Sequence, residues 1–305
     1  MTTRTWLVVG AAGMLGQDLV SRLAADPEAK TTALTRAQLD LTDPDAVAAA
    51  VVGHDIVVNA AAWTDVDRAE AEEAAATAVN GTGVRHLAAA CAAAGARLLH
   101  VSTDYVLHGD GTVPYPEDAP TDPLNAYGRS KLVGEQAVRE LLPETGYVVR
   151  TAWLYGEHGG NFVATMLKLG AQRETLDVVD DQQGQPTWSY DLAGQLLALG
   201  AAAVDGTAPA GVYHGTSTGS TTWFGLARAA YELSGLDPER IRPTTSAAFV
   251  RPAPRPAFSV LGHDRWAEAG LPALPDWRES LAEALTRPGF AALGAAARTP
   301  AAAQR

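Results

Sequence analysis

The sequence predicts an α/β protein with a Rossmann-like, doubly wound parallel sheet and a smaller C-terminal domain. Short β-type runs alternate with longer helical runs, as is typical of parallel strands joined by crossover helices. Three glycines, Gly10, Gly13 and Gly16, lie between the first strand and the first helix. After about Gly156 the alternation gives way to connections rich in proline and glycine, which predicts a smaller second unit.

The alternation can be followed run by run along the first half of the chain. Each change of period is accompanied by turn residues or by a helix-start signal. In chain order the runs are TWLVVG (strand), MLGQDLVSRLAAD (helix), TTALT (strand), PDAVAAAVVG (helix), DIVVNAAA (strand), AAATAVNGTGVRHLAAACAAAG (helix), RLLHVSTD (strand), NAYGRSKLVGEQAVRELL (helix) and GYVVRTAWLYG (strand).

Composition excludes several classes of partner. The 305 residues carry 23 basic and 35 acidic side chains, a net charge of −12, without a basic block, so we expect neither nucleic-acid nor membrane binding. The N-terminal run is too short for a signal-peptide core, and no run of 18 apolar residues exists. The single cysteine, Cys91, lies in an alanine-rich helical run and is expected to be a buried thiol. We therefore expect a cytoplasmic protein.

The glycine loop is expected to hold a dinucleotide. Glycines at this turn allow a tight bend and close approach of backbone N–H groups to a pyrophosphate, at the electropositive start of the helix that Met14 and Leu15 open. The context supports this interpretation more than the spacing does, because the loop follows the first apolar strand directly. A simple turn is the alternative.

The end of the second predicted strand indicates which dinucleotide is bound. Thr35 and Arg36 stand where an acidic residue would favour NAD, so NADPH is predicted, with NADH as the alternative. Arg36 could equally be a solvated surface charge. Asp40 and Leu41 could hold the adenine, or LTDPD could be a plain helix start with Thr42 as its cap.

Two residues of the run YGRSK, Tyr127 and Lys131, share one face of a predicted helix. The chain has only three lysines, at positions 30, 131 and 168, so a tyrosine–lysine pair at this spacing is less readily explained by chance. A phenol has a pKa of about 10, and a nearby positive charge lowers it, making the phenol a better acid toward a developing alkoxide.

Polar residues end the strand LLHVSTD. Ser102, Thr103, Asp104 and Tyr105 follow its apolar part, and the carboxyl ends of parallel strands are where open α/β sheets bind ligands. A hydroxyl here could hydrogen-bond a substrate oxygen beside Tyr127, or these residues could form only a turn.

Together these motifs resemble the extended short-chain dehydrogenase/reductases, most closely the dTDP-4-dehydrorhamnose reductase branch. The likeness rests on GAAGMLG, NAAAWTDVDRAE, VSTDYVLHG, YGRSK, RTAWLYG and RPAFSVL, in this order, and spans about residues 6–290. It implies transfer of hydride from NADPH to the C4 ketone of a dTDP-linked 4-keto-6-deoxysugar, a small-molecule substrate. A homodimer is possible, but the sequence does not determine the oligomeric state.

The resemblance also implies roles for individual residues. Tyr127 would be the proton donor, Lys131 would tune it and hold the nicotinamide ribose, and Thr103 would hydrogen-bond the reacting oxygen. Asp104, Tyr105 and Trp153 would line the sugar site, and Ala60, Ala61, Ala62 and Thr64 would flank the cofactor. From their charge alone, Arg251 and Arg255 could bind the diphosphate or could be ordinary surface charges.

The predicted domain division follows from the same pattern. Residues 1–150, with returning segments near 172–205 and 247–262, would form the dinucleotide-binding domain. Residues 151–171, 206–246 and 263–290 would form the substrate-binding domain, and residues 291–305 a flexible tail without periodic apolar anchors.

Some features depart from the family pattern or leave alternatives. Leu107, His108 and Phe258 replace residues usual in relatives, which bears on sugar specificity. The family is associated with magnesium, but no carboxylate cluster matches a site and no metal ligand is predicted. Nucleotide-sugar dehydratases or epimerases share the fold, although dehydratases have a glutamate where Tyr105 stands. A non-catalytic role like that of the methionine adenosyltransferase regulatory subunit is a further alternative.

Overall fold

The computed structural model describes residues 3–298. Its strands are β1 (Arg4–Val9), β2 (Ala29–Leu34), β3 (Ile56–Asn59), β4 (Arg97–Thr103), β5 (Gly146–Thr151), β6 (Leu154–Tyr155), β7 (Leu176–Val179), β8 (Gln183–Gly184), β9 (Thr187–Trp188), β10 (Gly211–His214), β11 (Ser217–Thr218), β12 (Thr221–Thr222), β13 (Ile241–Thr244) and β14 (Leu274–Asp276). Its α-helices are α1 (Met14–Ala24), α2 (Pro44–Val51), α3 (Val66–Ala71), α4 (Glu73–Thr77), α5 (Gly83–Ala94), α6 (Ala126–Leu141), α7 (Phe162–Gly170), α8 (Ser189–Val204), α9 (Trp223–Leu233), α10 (Asp264–Glu268), α11 (Trp277–Ala284) and α12 (Pro288–Arg298).

A six-stranded parallel sheet forms the centre of the fold, in the order β10-β5-β4-β3-β1-β2. Every residue of β3 and β5 is buried, as expected for strands covered by helices on both faces. From β1 the chain winds to β2 on one side and then returns to β3 on the other, so the winding reverses between β1 and β3. The predicted α/β, doubly wound fold class is confirmed.

Apolar side chains cover both faces of this sheet. Helices α1 and α8 pack together on one face, where Leu19 and Leu196 are fully buried. Helices α2 and α5 pack on the other face, with Val47 and Leu87 in their shared core. The helix predicted from the alanine-rich run is interrupted by a π-helical turn, Ala78–Thr82, between α4 and α5. No helix among residues 3–298 is long and apolar enough to cross a membrane.

A third cluster of buried side chains belongs to the second half of the chain. It is drawn from residues 155–297 and includes Tyr155, Tyr231 and Phe290.

One segment that the sequence analysis assigned to the substrate-binding domain belongs instead to the central sheet: β10, within residues 206–246, pairs with β5 as an edge strand. An edge strand carries a weaker apolar signal than a central one, which explains why the sequence pattern did not reveal it.

Two local predictions are wrong. Asp43, and not Thr42, caps α2: its carboxylate accepts the N–H groups of Asp45 and Ala46, whereas Thr42 Oγ1 donates to Asp40. The predicted tail from residue 291 is also wrong as far as residue 298, because residues 291–298 continue α12. The rest of that predicted tail, residues 299–305, lies outside the described residues.

Helix α12 packs against α7 through small side chains. Ala297 is buried, and the Arg298 guanidinium donates to the Ser234 carbonyl at 2.5 Å. The alanine-rich sequence of α12 buries little area per residue, so its apolar periodicity is easily overlooked.

We expect Ala297→Asp to destabilise the fold and Ala296→Asp to have little effect. Ala297 is buried and Ala296, one position earlier on the same helix, is exposed. An unpaired buried carboxylate should cost about 3–5 kcal/mol of unfolding free energy, against about 0.5 kcal/mol or less at the exposed position. Urea unfolding of both variants measures the difference. Equal losses would show that α12 does not pack as described.

Candidate active site

The site lies at the carboxyl edge of the sheet, where the winding reverses. Gly10 has a φ of +84°, and a Cβ built there would lie 2.6 Å from the Ala61 nitrogen. A Cβ on Gly16 would lie 2.2 Å from the Gly10 carbonyl oxygen. A glycine at position 10 therefore lets the β1–α1 turn fit against the loop that follows β3, and a glycine at position 16 lets α1 pack closely against the turn itself. This contact brings the glycine loop beside Ala60, Ala61 and Ala62.

The start of α1 can accept an anion. Its N-cap, Gly13, provides no side-chain acceptor, and no acidic residue lies in the first turn, which Met14 and Leu15 begin. Backbone N–H groups at a helix start are not bonded within the helix and favour negative charge. A dinucleotide pyrophosphate fits this arrangement.

The residues that follow β2 are those that the sequence analysis assigned to the adenosine end of the cofactor. Arg36 is exposed, and its side chain makes no hydrogen bond or ion pair with any residue that the structure describes. Asp40 accepts hydrogen bonds from the Thr42 backbone and hydroxyl, which, with the Arg36 charge, lower the pKa of Asp40. Leu41 is buried against Gly83 of α5. This turn thus has an apolar side, formed by Leu41, and an exposed charged side, formed by Arg36 and Asp40.

Thr103 and Asp104 lie at the end of β4, where a 3₁₀ turn, Asp104–Val106, begins. The Thr103 hydroxyl donates to Asp104 Oδ1 at 2.9 Å and accepts the Tyr105 N–H. Burial raises the pKa of Asp104 to about 6, although the hydroxyls of Ser259 and Thr103 partly oppose this shift. Asp104 Oδ2 is buried and has no hydrogen bond of ordinary geometry among residues 3–298.

Tyr127 lies in the first turn of α6, beside these residues. Asn125 caps the helix by accepting the Gly128 N–H at 2.8 Å, and the Tyr105 and Tyr127 rings meet edge to face at 5.9 Å. Burial and the Asp104 charge raise the pKa of the Tyr127 phenol, while a hydrogen bond with Thr103 lowers it. The expected lowering of this pKa by Lys131 is therefore not what the structure shows.

Lys131 lies on α6 one turn after Tyr127, and its side chain is buried. Its ammonium donates to the Val101 carbonyl at 2.7 Å. Burial lowers the pKa of Lys131 to about 8, and the Glu135 carboxylate partly opposes this change. A buried cation is costly, so its retention indicates a role beyond packing.

Asn80 was not identified from sequence. It lies in the π-helical turn, is fully buried, and donates from Nδ2 to Ser130 Oγ at 3.0 Å. The Ser130 hydroxyl in turn donates to the Tyr127 carbonyl, and the Asn80 amide exchanges two hydrogen bonds with the Trp63 backbone. Asn80 thereby fixes the start of α6 to the loop that carries Trp63 and exposed Thr64. π-helical turns often mark functional sites, but the sequence pattern does not reveal them.

Trp153 follows β5 and has a φ of +47°, a strained value for a residue with a Cβ. Its indole stacks on that of Trp223, with ring centroids 3.7 Å apart. A Cβ on Gly184 would lie 2.6 Å from the Trp153 ring, so a glycine is needed there. Phe162 packs on Trp223 at 4.6 Å and extends this aromatic surface. Sequence reasoning predicted Trp153 but missed Trp223, because the two are 70 positions apart.

Arg251 and Arg255 both form ion pairs with Asp67 near the start of α3. Arg251 Nε lies 2.9 Å and Arg255 Nη2 lies 3.1 Å from the Asp67 carboxylate. The Arg255 guanidinium also lies 5.9 Å from the centre of the Tyr105 ring. The alternative that they are ordinary surface charges is therefore wrong for Arg255, which is largely buried beside Tyr105. Asp67, which holds both arginines, was not identified from sequence.

Metal binding has little support in the site. Within residues 3–298, no group of three or more His, Cys, Asp or Glu side chains is arranged to hold a metal ion. The association with magnesium that the family resemblance implied is therefore not supported by a ligand group of this kind in that part of the chain.

Comparison with known proteins gives consistent matches along almost the whole chain. The family model described as "RmlD substrate binding domain" matches residues 4–289. A dTDP-4-dehydrorhamnose reductase of Streptomyces griseus is 59% identical over 91% of this chain and 92% of its own length. A dTDP-4-keto-6-deoxy-D-glucose reductase of Streptomyces niveus is 52% identical over 93% and 97%.

A solved structure agrees with these sequence matches. The crystal structure of dTDP-4-dehydrorhamnose reductase from Bacillus anthracis in complex with NADP superposes with a TM-score of 0.88 and 35% identity. It covers 94% of this chain and 99% of its own.

Ionisation of the buried Asp104 carboxyl should lower the free energy of unfolding as the pH rises. Its pKa is about 6 in the folded protein against 3.8 as the usual value, so between these pH values the folded protein holds a proton that the unfolded chain has released. The contribution of the protonated Asp104 to stability is fully present below pH 3.8 and is lost as the pH rises through about 6. Relative to Asp104→Asn, the unmodified protein should lose about 3 kcal/mol across this window.

Urea unfolding at several pH values measures this difference. Replacement of the exposed Asp177 by Asn is the matched control and should leave the pH dependence unchanged. If Asp104→Asn has the same pH dependence as the unmodified protein, the buried carboxyl is not the source.

Proposed function

The chain belongs to the RmlD substrate-binding domain family, and on that premise we propose that it is an NADPH-dependent reductase of the C4 ketone of a dTDP-4-keto-6-deoxysugar. The observation that carries this proposal is the arrangement of Thr103, Tyr127 and Lys131 at the carboxyl edge of the sheet, on the side of the glycine loop. The resemblance to the short-chain dehydrogenase/reductases that the motifs indicated is confirmed.

In the proposed mechanism, Tyr127 protonates the oxygen of the reacting carbonyl group. NADPH, when bound, supplies the hydride that the ketone carbon receives. The Thr103 hydroxyl, close to the Tyr127 phenol, helps to orient the same oxygen. The raised pKa of Tyr127 keeps the phenol protonated until negative charge develops on that oxygen. Lys131 contributes its positive charge beneath the site and offers a donor toward the ribose.

The cofactor is proposed to lie across the reversal between β1 and β3. Gly10, Gly13 and Gly16, with Met14 and Leu15, would receive the pyrophosphate, and Arg36 would meet the 2′-phosphate. Asp40 and Leu41 would flank the adenine, and Ala60, Ala61, Ala62 and Thr64 would line the nicotinamide side. NADP in the Bacillus anthracis relative, with the free guanidinium of Arg36, supports NADPH over NADH.

The substrate is proposed to enter between Tyr105 and the Trp153 ring. Asp104 and Tyr105 would contact the sugar, and the stacked indole of Trp153 would provide an apolar face for it. Arg251 and Arg255 are the cations proposed for the diphosphate, which would share them with Asp67. The relatives act on differently named sugars, so the proposal concerns the 4-keto-6-deoxysugar class.

The alternatives receive no support from the relatives. A dehydratase needs a glutamate acid after the aspartate, and Tyr105 occupies that position with a pKa raised by burial and Asp104. A purely regulatory role would not require a buried lysine one helical turn from a phenol.

Tyr127→Phe should abolish most turnover without loss of folding or NADPH binding. Loss of a general acid lowers turnover by about 10²–10⁴-fold. Tyr147→Phe is the matched control, because Tyr147 lies at the opposite edge of the sheet, where its hydroxyl donates to the Ala208 carbonyl. Steady-state reduction of a dTDP-4-keto-6-deoxysugar measures both. Turnover retained in Tyr127→Phe would remove the phenol from the mechanism.

Arg36→Ala should reduce the preference for NADPH over NADH. A charge-assisted contact with the 2′-phosphate is worth about 1.5–3 kcal/mol, or about ten- to a hundredfold in affinity. Fluorescence titration with both cofactors measures the ratio. Lys30→Ala removes an exposed cation at the opposite end of β2 and should leave the ratio unchanged. The same ratio in Arg36→Ala as in the unmodified protein would contradict the assignment.

A further inference from the structure

Two polar residues of β4 face two charged residues of α6. His100 and Ser102 are two positions apart on the strand, and Lys131 and Glu135 are four apart on the helix, so each pair lies on one face of its element. His100 faces Lys131, and Ser102 Oγ donates to Glu135 at 2.6 Å. All four side chains are buried.

Asn59 fixes the chemistry of the His100 ring. The Ala61 N–H donates to Asn59 Oδ1 at 3.1 Å, which orients the amide. Asn59 Nδ2 must then be the donor toward His100 Nδ1, 3.1 Å away, so that Nδ1 accepts and carries no hydrogen. Burial and the Lys131 charge lower the pKa of His100 well below its usual value, so the ring is neutral. Its single N–H is therefore on Nε2.

That N–H points toward the side chain of Lys131. His100 Nε2 lies 3.5 Å from Lys131 Nζ, and the Lys131 nitrogen already donates to the Val101 carbonyl. An ammonium has no lone pair and is repelled by a facing N–H, whereas a neutral amine can accept it. The tautomer of His100 thus distinguishes between the two protonation states of Lys131.

We propose that Asn59 and His100 are a positioning pair: they hold the Nε2–H tautomer of His100 against Lys131 and favour its neutral amine over the ammonium. Together with the burial of Lys131, the pair lowers the pH at which Lys131 loses its charge. The consequence for catalysis rests on the proposed function, in which the charge of Lys131 assists reduction. Loss of that charge as the pH rises then limits activity on the alkaline side.

The other ionisable groups around Lys131 do not replace this effect. Glu135, from α6, is the acidic group that acts on Lys131, and it raises the pKa of Lys131. Glu135 is itself engaged by the Arg150 guanidinium at 2.8 Å and by the Ser102 hydroxyl. From β4, the ionisable neighbour is His100. The burial of Lys131 and the N–H of His100 therefore act together against its charge.

The tautomer can be measured directly on the unmodified protein. With ¹⁵N-labelled histidine, the two ring nitrogens of His100 give distinct chemical shifts, and we expect Nε2 to be protonated and Nδ1 not. With ¹³Cε-labelled lysine, only three lysines contribute, so Lys131 can be followed through a pH titration. We expect a midpoint close to 8. A hydrogen on Nδ1 would overturn the proposal, with no variant required.

The variant Asn59→Asp keeps the shape of the side chain almost unchanged but replaces the hydrogen-bond donor that faces His100 Nδ1 with an acceptor. A carboxylate accepts from His100 Nδ1–H, which moves the lone pair to Nε2, where it can accept from the Lys131 ammonium. The Lys131 titration should then move up by about one pH unit or more. The alkaline limit of kcat/KM should move in the same direction. An unchanged tautomer and an unchanged Lys131 titration in this variant would contradict the proposal.

His214→Asn is the matched control. His214 is a buried histidine of the same sheet, but it lies beside Arg150 and bonds the Gly262 carbonyl, away from Lys131. It should leave the Lys131 titration unchanged. The proposed function can fail separately: absence of activity on every 4-keto sugar would refute the reductase, whereas the histidine tautomer and the lysine titration are measured without turnover.

Discussion

The buried polar contacts between β4 and α6 determine where the side chains proposed for catalysis lie. Lys131 and Glu135 can be buried only because β4 and β5 supply partners, the Val101 carbonyl for the first and Ser102 and Arg150 for the second. Breaking a buried ion pair by removing one partner costs about 3–5 kcal/mol, so a rotation of α6 that separated these groups would be strongly disfavoured. The same helix carries Tyr127, and its orientation over Thr103 follows from these contacts.

The topology of the sheet places the proposed cofactor and substrate positions next to these side chains. Its winding reverses between β1 and β3, where the glycine loop touches the Ala61 backbone, and β4 ends beside that junction at Thr103. A cofactor at the start of α1 and a substrate beside Tyr127 would therefore meet at one edge. The stacked pair Trp153 and Trp223 packs against the smaller core, whose buried residues are drawn from 155–297, and would border the proposed substrate site.

Local patterns in the sequence predicted the fold class, the glycine turn and the helix that carries Tyr127 and Lys131, because each is written in consecutive residues. Contacts between distant segments were beyond such patterns. Asp67 holds Arg251 and Arg255 across more than 180 positions, and Asn80 reaches Ser130 across 50. His100 could have been noticed as a polar residue at a buried strand position, but its partner Asn59 lies on another strand. The acidity of Tyr127 also depends on burial and Asp104, which spacing does not encode.

Isotope transfer tests the central claim, reduction of a ketone at this edge of the sheet, most directly. The protein would be given a dTDP-4-keto-6-deoxysugar and NADPH deuterated at C4 of the nicotinamide, once with each of the two stereospecific labels, and the product examined by NMR. We predict one NADPH oxidised for each sugar reduced, with deuterium at C4 of the sugar from one of the two labelled forms. Loss of water from dTDP-glucose without net oxidation of NADPH, or a reduced sugar with no deuterium from either form, would contradict the account.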